Sequence, residues 1–219
     1  MDLVSQIGIL VFAYLLGSIP FGWIIVKIRT GEDIRDIQSG RTGGTNAMRA
    51  AGFIFGLSTA ILDGLKGYIS VRVAMYFFPE ATWLIVLAPV LAIIGHNYSI
   101  FLIQRGPTGK LRLGGGAGGA TTLGGAIGLW PPSGIIILVI CVLIYYFVGY
   151  ASVTTMMIAF LSIFIFGYRA FLGLNPWMYI LFGVLAEIIV MYALRPNIKA
   201  LKNGTERIHG FRARKNKKD

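Results

Sequence analysis

The chain has 219 residues, a mean hydropathy of +0.73, 56% hydrophobic residues and 13% charged ones. Its formal net charge of +11 would suggest nucleic acid in a soluble protein, but a chain this apolar excludes the ordinary soluble domain. The basic residues lie between apolar runs rather than on a polar module, so no nucleic-acid partner is expected.

Apolar runs cover 3–26, 53–78, 83–103, 135–149, 151–166 and 177–194. Each approaches the roughly 20 residues a helix needs to span hydrocarbon. Segment 121–130 makes a shorter seventh run if its helix begins within the preceding glycines. The expected fold is therefore all-α: a polytopic membrane bundle of about seven transmembrane helices, forming one integral membrane domain over 1–219. Asp2 replaces the basic start of a signal peptide, and no small-residue cleavage pattern follows, so the first run reads as a retained helix. Lys27, Arg29, Arg35, Arg41 and Arg49 follow the first run, Arg105, Lys110 and Arg112 the third, and nine Lys or Arg occupy the tail 195–219. With seven spans these groups share one side and leave Arg169 on the other. Lys/Arg excess marks the cytoplasmic face, which predicts an outside N-terminus and a cytoplasmic basic tail attracted to anionic lipid. Six spans would separate the tail from one basic loop. Cys141, the single cysteine, excludes an internal disulfide.

The long polar connections all fall on the inner side, so a working site should open there. In "SGRTGGTNAMRAAG" (39–52), glycines permit positive φ and hence converging N–H groups, while Arg41 and Arg49 add cationic donors suited to phosphate. Asn46 suits a hydroxyl or a helix cap. The same stretch also reads as a basic loop touching lipid phosphates. "LDGLKGY" sets Asp63 and Lys66 on one helix face inside an apolar span; Asp63 reads as the structural partner and Lys66 as freer to meet a ligand. His96 ends a span as either a structural residue or an acid–base group. Gly114–Gly119 with Thr121 and Thr122 suits a phosphate nest at a helix start, or close helix packing continued by Gly124 and Gly128. Tyr150, Ser152, Thr154 and Thr155 form an uncharged inner turn, and Asn197 lies in the polar stretch after the last span.

In this order the pieces resemble the bacterial acyl-phosphate:glycerol-3-phosphate acyltransferases, a family of small polytopic enzymes. Ser39, Gly40, Gly43, Thr45, Asn46 and Arg49 match its first motif; Asp63, Lys66 and Gly67 match Asp-x-x-Lys-Gly; Gly95, His96 and Phe101 match the third landmark; Tyr150 with Ser152, and Asn197 with Ile198, match the last two. Two departures stand out. The family's Lys-Gly-Gly-Lys-Gly-Val-Ala-Thr is interrupted by the insertion 107–114, and Ala117 stands at its second lysine. Leu194 stands at the histidine of the closing Arg-His-x-x-Asn-Ile pattern.

The resemblance implies acyl transfer from acyl phosphate to glycerol-3-phosphate, giving lysophosphatidate and phosphate by direct attack, with no covalent acyl-enzyme, metal or cofactor. It implies residence in the bacterial inner membrane among lipids, a site facing the cytoplasm, and a functional link to the enzyme supplying acyl phosphate. The expected catalytic residues are Arg49, Ser39, Asn46, Ser152 and Asn197. Gly40, Gly43, Thr45, Lys66, Gly115, Gly116, Gly118 and Thr121 are expected to hold phosphate, with Lys110 and Arg112 the candidates to replace the missing cation. His96 and Asp63 stand as structural or acid–base groups. The alternatives are a divergent paralogue with another donor, another acceptor or no turnover, and a small transporter of anionic solutes. The transporter is disfavoured because no repeat relates the halves and the motifs gather at one face.

Overall fold

A computed structural model describes residues 3–105, 109 and 111–215. Helix α1 (Leu3–Ser18) is followed after Pro20 by α2 (Phe21–Thr30). Proline has no N–H to continue the ladder, and at this break the Ile19 carbonyl accepts from Phe21 N–H and from a side chain described below. A loop pinned by Asp33 then leads to α3 (Gly44–Ala51). Asp33 accepts from the Arg35 backbone and guanidinium and from Trp23 Nε1, and Arg35 holds its carboxyl well below the usual range. Gly52, at φ +100°, turns the chain directly into α4 (Phe53–Phe77).

The remaining elements are α5 (Thr82–Asn97), a β-hairpin of β1 (Ser99–Arg105) and β2 (Leu111–Gly114), α6 (Gly119–Leu129), α7 (Pro132–Phe147), α8 (Ala151–Phe171), α9 (Tyr179–Ala193), α10 (Arg195–Lys202) and α11 (Gly210–Lys215). The hairpin corrects the expectation of a span over 83–103. The helix stops at Asn97, and Ile103 and Gln104 pair with Leu113 and Arg112. A short apolar run carries no decisive period, and here pairing with the inserted segment makes it a strand. The helix at 121–130 does begin in the glycines, at Gly119.

Small residues let the helices meet backbone to backbone. A Cβ on Gly67 would lie 2.0 Å from the Thr121 carbonyl oxygen, and one on Gly124 would lie 1.8 Å from that of Gly64. With Gly128 against Val71, these contacts make α4 and α6 parallel neighbours. Gly17 and Gly95 bring α1 and α5 equally close, and Gly183 brings α9 onto α8 at Ile163. Hydroxyls within the helices bond back four residues, as Thr59 does to Phe55, Ser70 to Lys66 and Ser162 to Ile158. This satisfies polar groups where water is absent.

By length and apolarity, two helical stretches among the described residues can cross a membrane, 3–30 and Ala151–Phe171, or three if α9 and α10, bent by 68°, count as one. This is fewer than hydropathy alone suggests. Helices α5 and α7 have 16 residues each, about 24 Å at 1.5 Å per residue; α6 has 11, and α4 carries Asp63, Lys66 and Arg72.

The polar connections gather at one end of the bundle. Thr42 N–H donates to Gly115 O, Gly116 N–H to His96 O, and His209 N–H to Gly149 O, while Arg207 bonds Gln38. At the other end, the Arg169 guanidinium stacks 3.9 Å above the Trp130 ring.

Candidate active site

At the polar end a cavity of about 320 Å³ opens between the loop before α3, the start of α6, the start of α8 and the end of α9. Its size falls at the small end of ligand clefts, roughly 300–1,000 Å³. Three helix N-termini contribute to its wall: Gly43–Thr45 of α3, Gly118–Ala120 of α6, and Ala151 with Ser152 of α8. The first N–H groups of a helix lack partners within it and carry about half a positive charge together. Three such ends around one space favour an anion there.

Two guanidinium groups line the same cavity, Arg41 and Arg49. Arg41 donates to the carbonyl of Ala193 at 2.6 Å, closing the C-terminal end of α9. Arg49 reaches His209 Nε2 at 2.9 Å. Burial pulls the Arg49 pKa below its ordinary value, and nearby Arg207 adds to this. A bound anion would relieve both effects. Asn46 is buried, and its amide Nδ2 donates to the carbonyls of Ile34, Ile37 and Arg41. It is neither a cap nor a simple hydroxyl ligand. It folds the loop that carries Arg41, and its Oδ1 has no protein partner among the described residues. Ser152 is also buried with an unpartnered Oγ, and Ser39, Thr45 and Asn197 complete the polar wall. Asn197 Nδ2 donates to both carboxylate oxygens of Glu206.

The charged pair inside α4 reverses the sequence expectation. Lys66 is 1% exposed and absent from the cavity wall. Its ammonium donates to Asp63 Oδ1 at 2.7 Å and, at 2.5 Å, to the Ile19 carbonyl, which also accepts from Phe21 N–H; the Phe21 ring is 4.9 Å away. Asp63 reaches the cavity instead, with Oδ2 unpartnered among the described residues and His96 Nδ1 3.4 Å from Oδ1. An ammonium has three donors and no acceptor; the Ile19 carbonyl at the α1–α2 break and the Asp63 carboxylate hold it away from the cavity.

The glycines separate into two groups. Gly40 (φ +66°) and Gly118 (φ +91°) take conformations that favour glycine, and Gly118 caps α6. Gly43 has an ordinary φ of −79°, and Gly44 begins α3, so no run of positive-φ glycines forms a nest at 43–44. Gly115 and Gly116 do not line the cavity. A Cβ on Gly116 would fall 2.0 Å from His96 Nε2, and one on Gly115 would fall 2.3 Å from His96 O. Their smallness seats His96 rather than a phosphate. Thr121 is buried against α4 at Gly67 and also lies outside the wall. Arg112 is exposed on β2 opposite Gln104 and does not reach the cavity, so it does not replace the missing cation. Lys110 lies outside the described residues. Ala117 does line the cavity, where a lysine would have met the anion.

Arg41 was legible as a phosphate-suited cation of the opening stretch, although it is not among the motif positions that the resemblance matches. Tyr145, on the cavity wall from the end of α7, and His209 gave no sequence signal. The bundle of apolar helices with an anion-attracting cavity at its polar end defines a membrane protein built to handle a charged small molecule. Residues 7–204 match the profile of the glycerol-3-phosphate acyltransferase family. The chain is 36% identical over 204 residues to glycerol-3-phosphate acyltransferase 2 of Moorella thermoacetica, covering 93% of this chain and 97% of that one. It is 32% identical over 201 residues to the Aquifex aeolicus enzyme, covering 90% and 96%. Its fold is similar to the glycerol 3-phosphate form of PlsY (YgiH), an integral membrane glycerol 3-phosphate acyltransferase. The TM-score is 0.80 and the identity 30%, over 94% of this chain and 96% of that one. A lysophosphatidic acid form of the same protein matches with a TM-score of 0.78. The chain belongs to the glycerol-3-phosphate acyltransferase family and is an integral membrane acyltransferase.

Proposed function

We propose that this chain transfers a fatty acyl group from acyl phosphate to glycerol-3-phosphate, releasing lysophosphatidate and inorganic phosphate without a covalent acyl-enzyme. The observation that carries the reading is the meeting of three helix N-termini, Arg41 and Arg49 around one cavity whose wall also includes Leu123 and Ile158. Phosphate-bearing groups and an apolar chain both find complementary surface there. The glycerol 3-phosphate and lysophosphatidic acid forms of the similar structure support the same acceptor and product.

The acceptor hydroxyl oxygen attacks the acyl carbonyl carbon, the bond from that carbon to the phosphate oxygen breaks, and the hydroxyl proton passes to a phosphate oxygen. The mixed anhydride is already activated, so the protein supplies positioning and charge stabilisation. In support, no histidine or carboxylate hydrogen-bonds Ser39 or Ser152 among the described residues. Arg49 and the α3 N-terminus with Ser39 and Thr45 hold one phosphate. Arg41 and the α6 N-terminus at Gly118 attend the other, in place of a lysine at 117. Ser152 and Asn197 orient the glycerol hydroxyls.

The whole chain forms one integral membrane domain. Its seven passes are α1 with α2, then α4, α5, α6, α7, α8 and α9, with the N-terminus outside and the site and basic tail at the cytoplasmic face of the bacterial inner membrane. Toward the end opposite the cavity the described residues place only Arg72, near the end of α4, and Arg169, a scarcity of basic residues that supports that sidedness. The donor ties the chain functionally to the enzyme that supplies acyl phosphate.

The test is purified protein in lipid given palmitoyl phosphate and glycerol-3-phosphate, with phosphate and lysophosphatidate followed together. Equal release of both is expected. Arg49→Ala should lower the rate by about 100-fold or more, as loss of a charge-stabilising donor does. Normal activity in that variant would refute the site assignment.

A further inference from the structure

The segment after α10 folds back over the outside of the site. His209 N–H donates to Gly149 O at 2.7 Å, the imidazole stacks on Tyr145 with ring centroids 5.5 Å apart, and Nε2 meets Arg49 Nη2 at 2.9 Å. Arg207 bonds Gln38 and Glu206 accepts from Asn197, fastening the same segment to the loop before α3 and to α10. His209 lies beyond the stretch matched by the family profile, which ends at 204, and it is absent from the cavity wall. It therefore reaches the cavity through the two wall residues it touches, Arg49 and Tyr145. The position where the family's closing motif has histidine is Leu194, which does line the cavity.

We propose that His209 is a positioning residue for phosphate binding, its neutral imidazole holding the Arg49 guanidinium at the cavity from beyond the stretch that the family profile matches. A guanidinium has only donors, so Nε2 must present its lone pair and the ring must be uncharged. The anchored backbone and the Tyr145 face fix the ring plane. Arg49, a long side chain rich in rotamers, is thereby held for bidentate contact with phosphate. The charged groups around the imidazole are Arg49 from α3 and Arg207 and Glu206 from its own segment, with Tyr145 from α7. Burial, then Arg49 and Arg207, pull its pKa below the ordinary value, against Glu206, in keeping with a neutral ring.

The sign of the pH effect follows. Protonation removes the acceptor and sets two cations face to face, so the hold on Arg49 is present at neutral pH and is lost as pH falls below the histidine range. Glutamine at 209 offers a carbonyl acceptor that does not titrate; alanine offers none.

The inference rests on Arg49 gripping phosphate, so its test includes binding as well as turnover. Wild type, His209→Ala and His209→Gln are purified in lipid. Inorganic phosphate is titrated against thermal unfolding, and transfer from palmitoyl phosphate is measured between pH 5.5 and 8. His209→Ala is expected to need about tenfold more phosphate for half-maximal protection and to raise KM similarly, with kcat changed less. His209→Gln should stay within threefold of wild type at pH 8, and the ratio of wild type to His209→Gln activity should fall toward pH 5.5. Weakened phosphate protection in His209→Ala without turnover by any form would uphold the positioning role while refuting the proposed donor. Unchanged phosphate protection and KM in His209→Ala would overturn the proposal, as would equal losses in Ala and Gln variants with a flat activity ratio.

Discussion

Asn46 and Lys66 both belong to motifs that read as binding sites, yet both spend their donors within the protein: Asn46 on the carbonyls of Ile34, Ile37 and Arg41, Lys66 on the Ile19 carbonyl and the Asp63 carboxylate. What a motif side chain does depends on which acceptor lies nearest, and those acceptors belong to loops and breaks distant in sequence. Gly116 is the same lesson for a residue without a side chain, since it exists to admit the His96 ring. Gly116→Ala should displace that ring and with it Asp63, lowering transfer by at least tenfold while the protein remains folded by circular dichroism. Unchanged kinetics would remove His96 from the site. Ala117→Lys restores a cation on the cavity wall, and a several-fold lower KM for the acyl donor is expected, read from initial rates against donor concentration. An unchanged KM would mean that Arg41 already serves that phosphate fully.

Helices α4 and α6 owe their contact to Gly67 and Gly124, which let the Thr121 and Gly64 carbonyls approach where any Cβ would collide. That crossing fixes where the N-terminus of α6 falls relative to Asp63. Helix α4 is in turn tied to the α1–α2 break by Lys66, a buried ion pair with an added carbonyl contact. Removing one partner of a buried pair costs about 3–5 kcal/mol because the other charge is left uncompensated. Lys66→Met should therefore lower the unfolding temperature markedly in detergent. Adding Asp63→Asn should recover part of the loss, whereas a simple additive decline would contradict the pairing. The hairpin illustrates the limit of element-level reading. Residues 99–103 are apolar enough for a span, but their partners at 111–114 are needed to make them a strand.

Across the whole molecule, connections separated by more than 150 residues meet at one end, as Arg41 does with Ala193 and Arg49 with His209. The proposed sidedness predicts a labelling pattern. In a Cys141→Ser background, Glu80→Cys should react with a membrane-impermeant maleimide in intact cells, and Lys202→Cys only after the membrane is opened. The reverse pattern would invert the topology and place the cavity outside.

Apolar runs, their basic flanks and the five ordered motifs were legible in the chain itself, because each is a local property of neighbouring residues. Family membership follows from those alone. Tertiary structure decided the rest: that Asp63 rather than Lys66 meets the cavity, that Gly115 and Gly116 seat His96, and that His209 stands behind Arg49. Such assignments depend on helix crossings set by backbone contact between glycines, and the distances they create join segments that no local pattern connects.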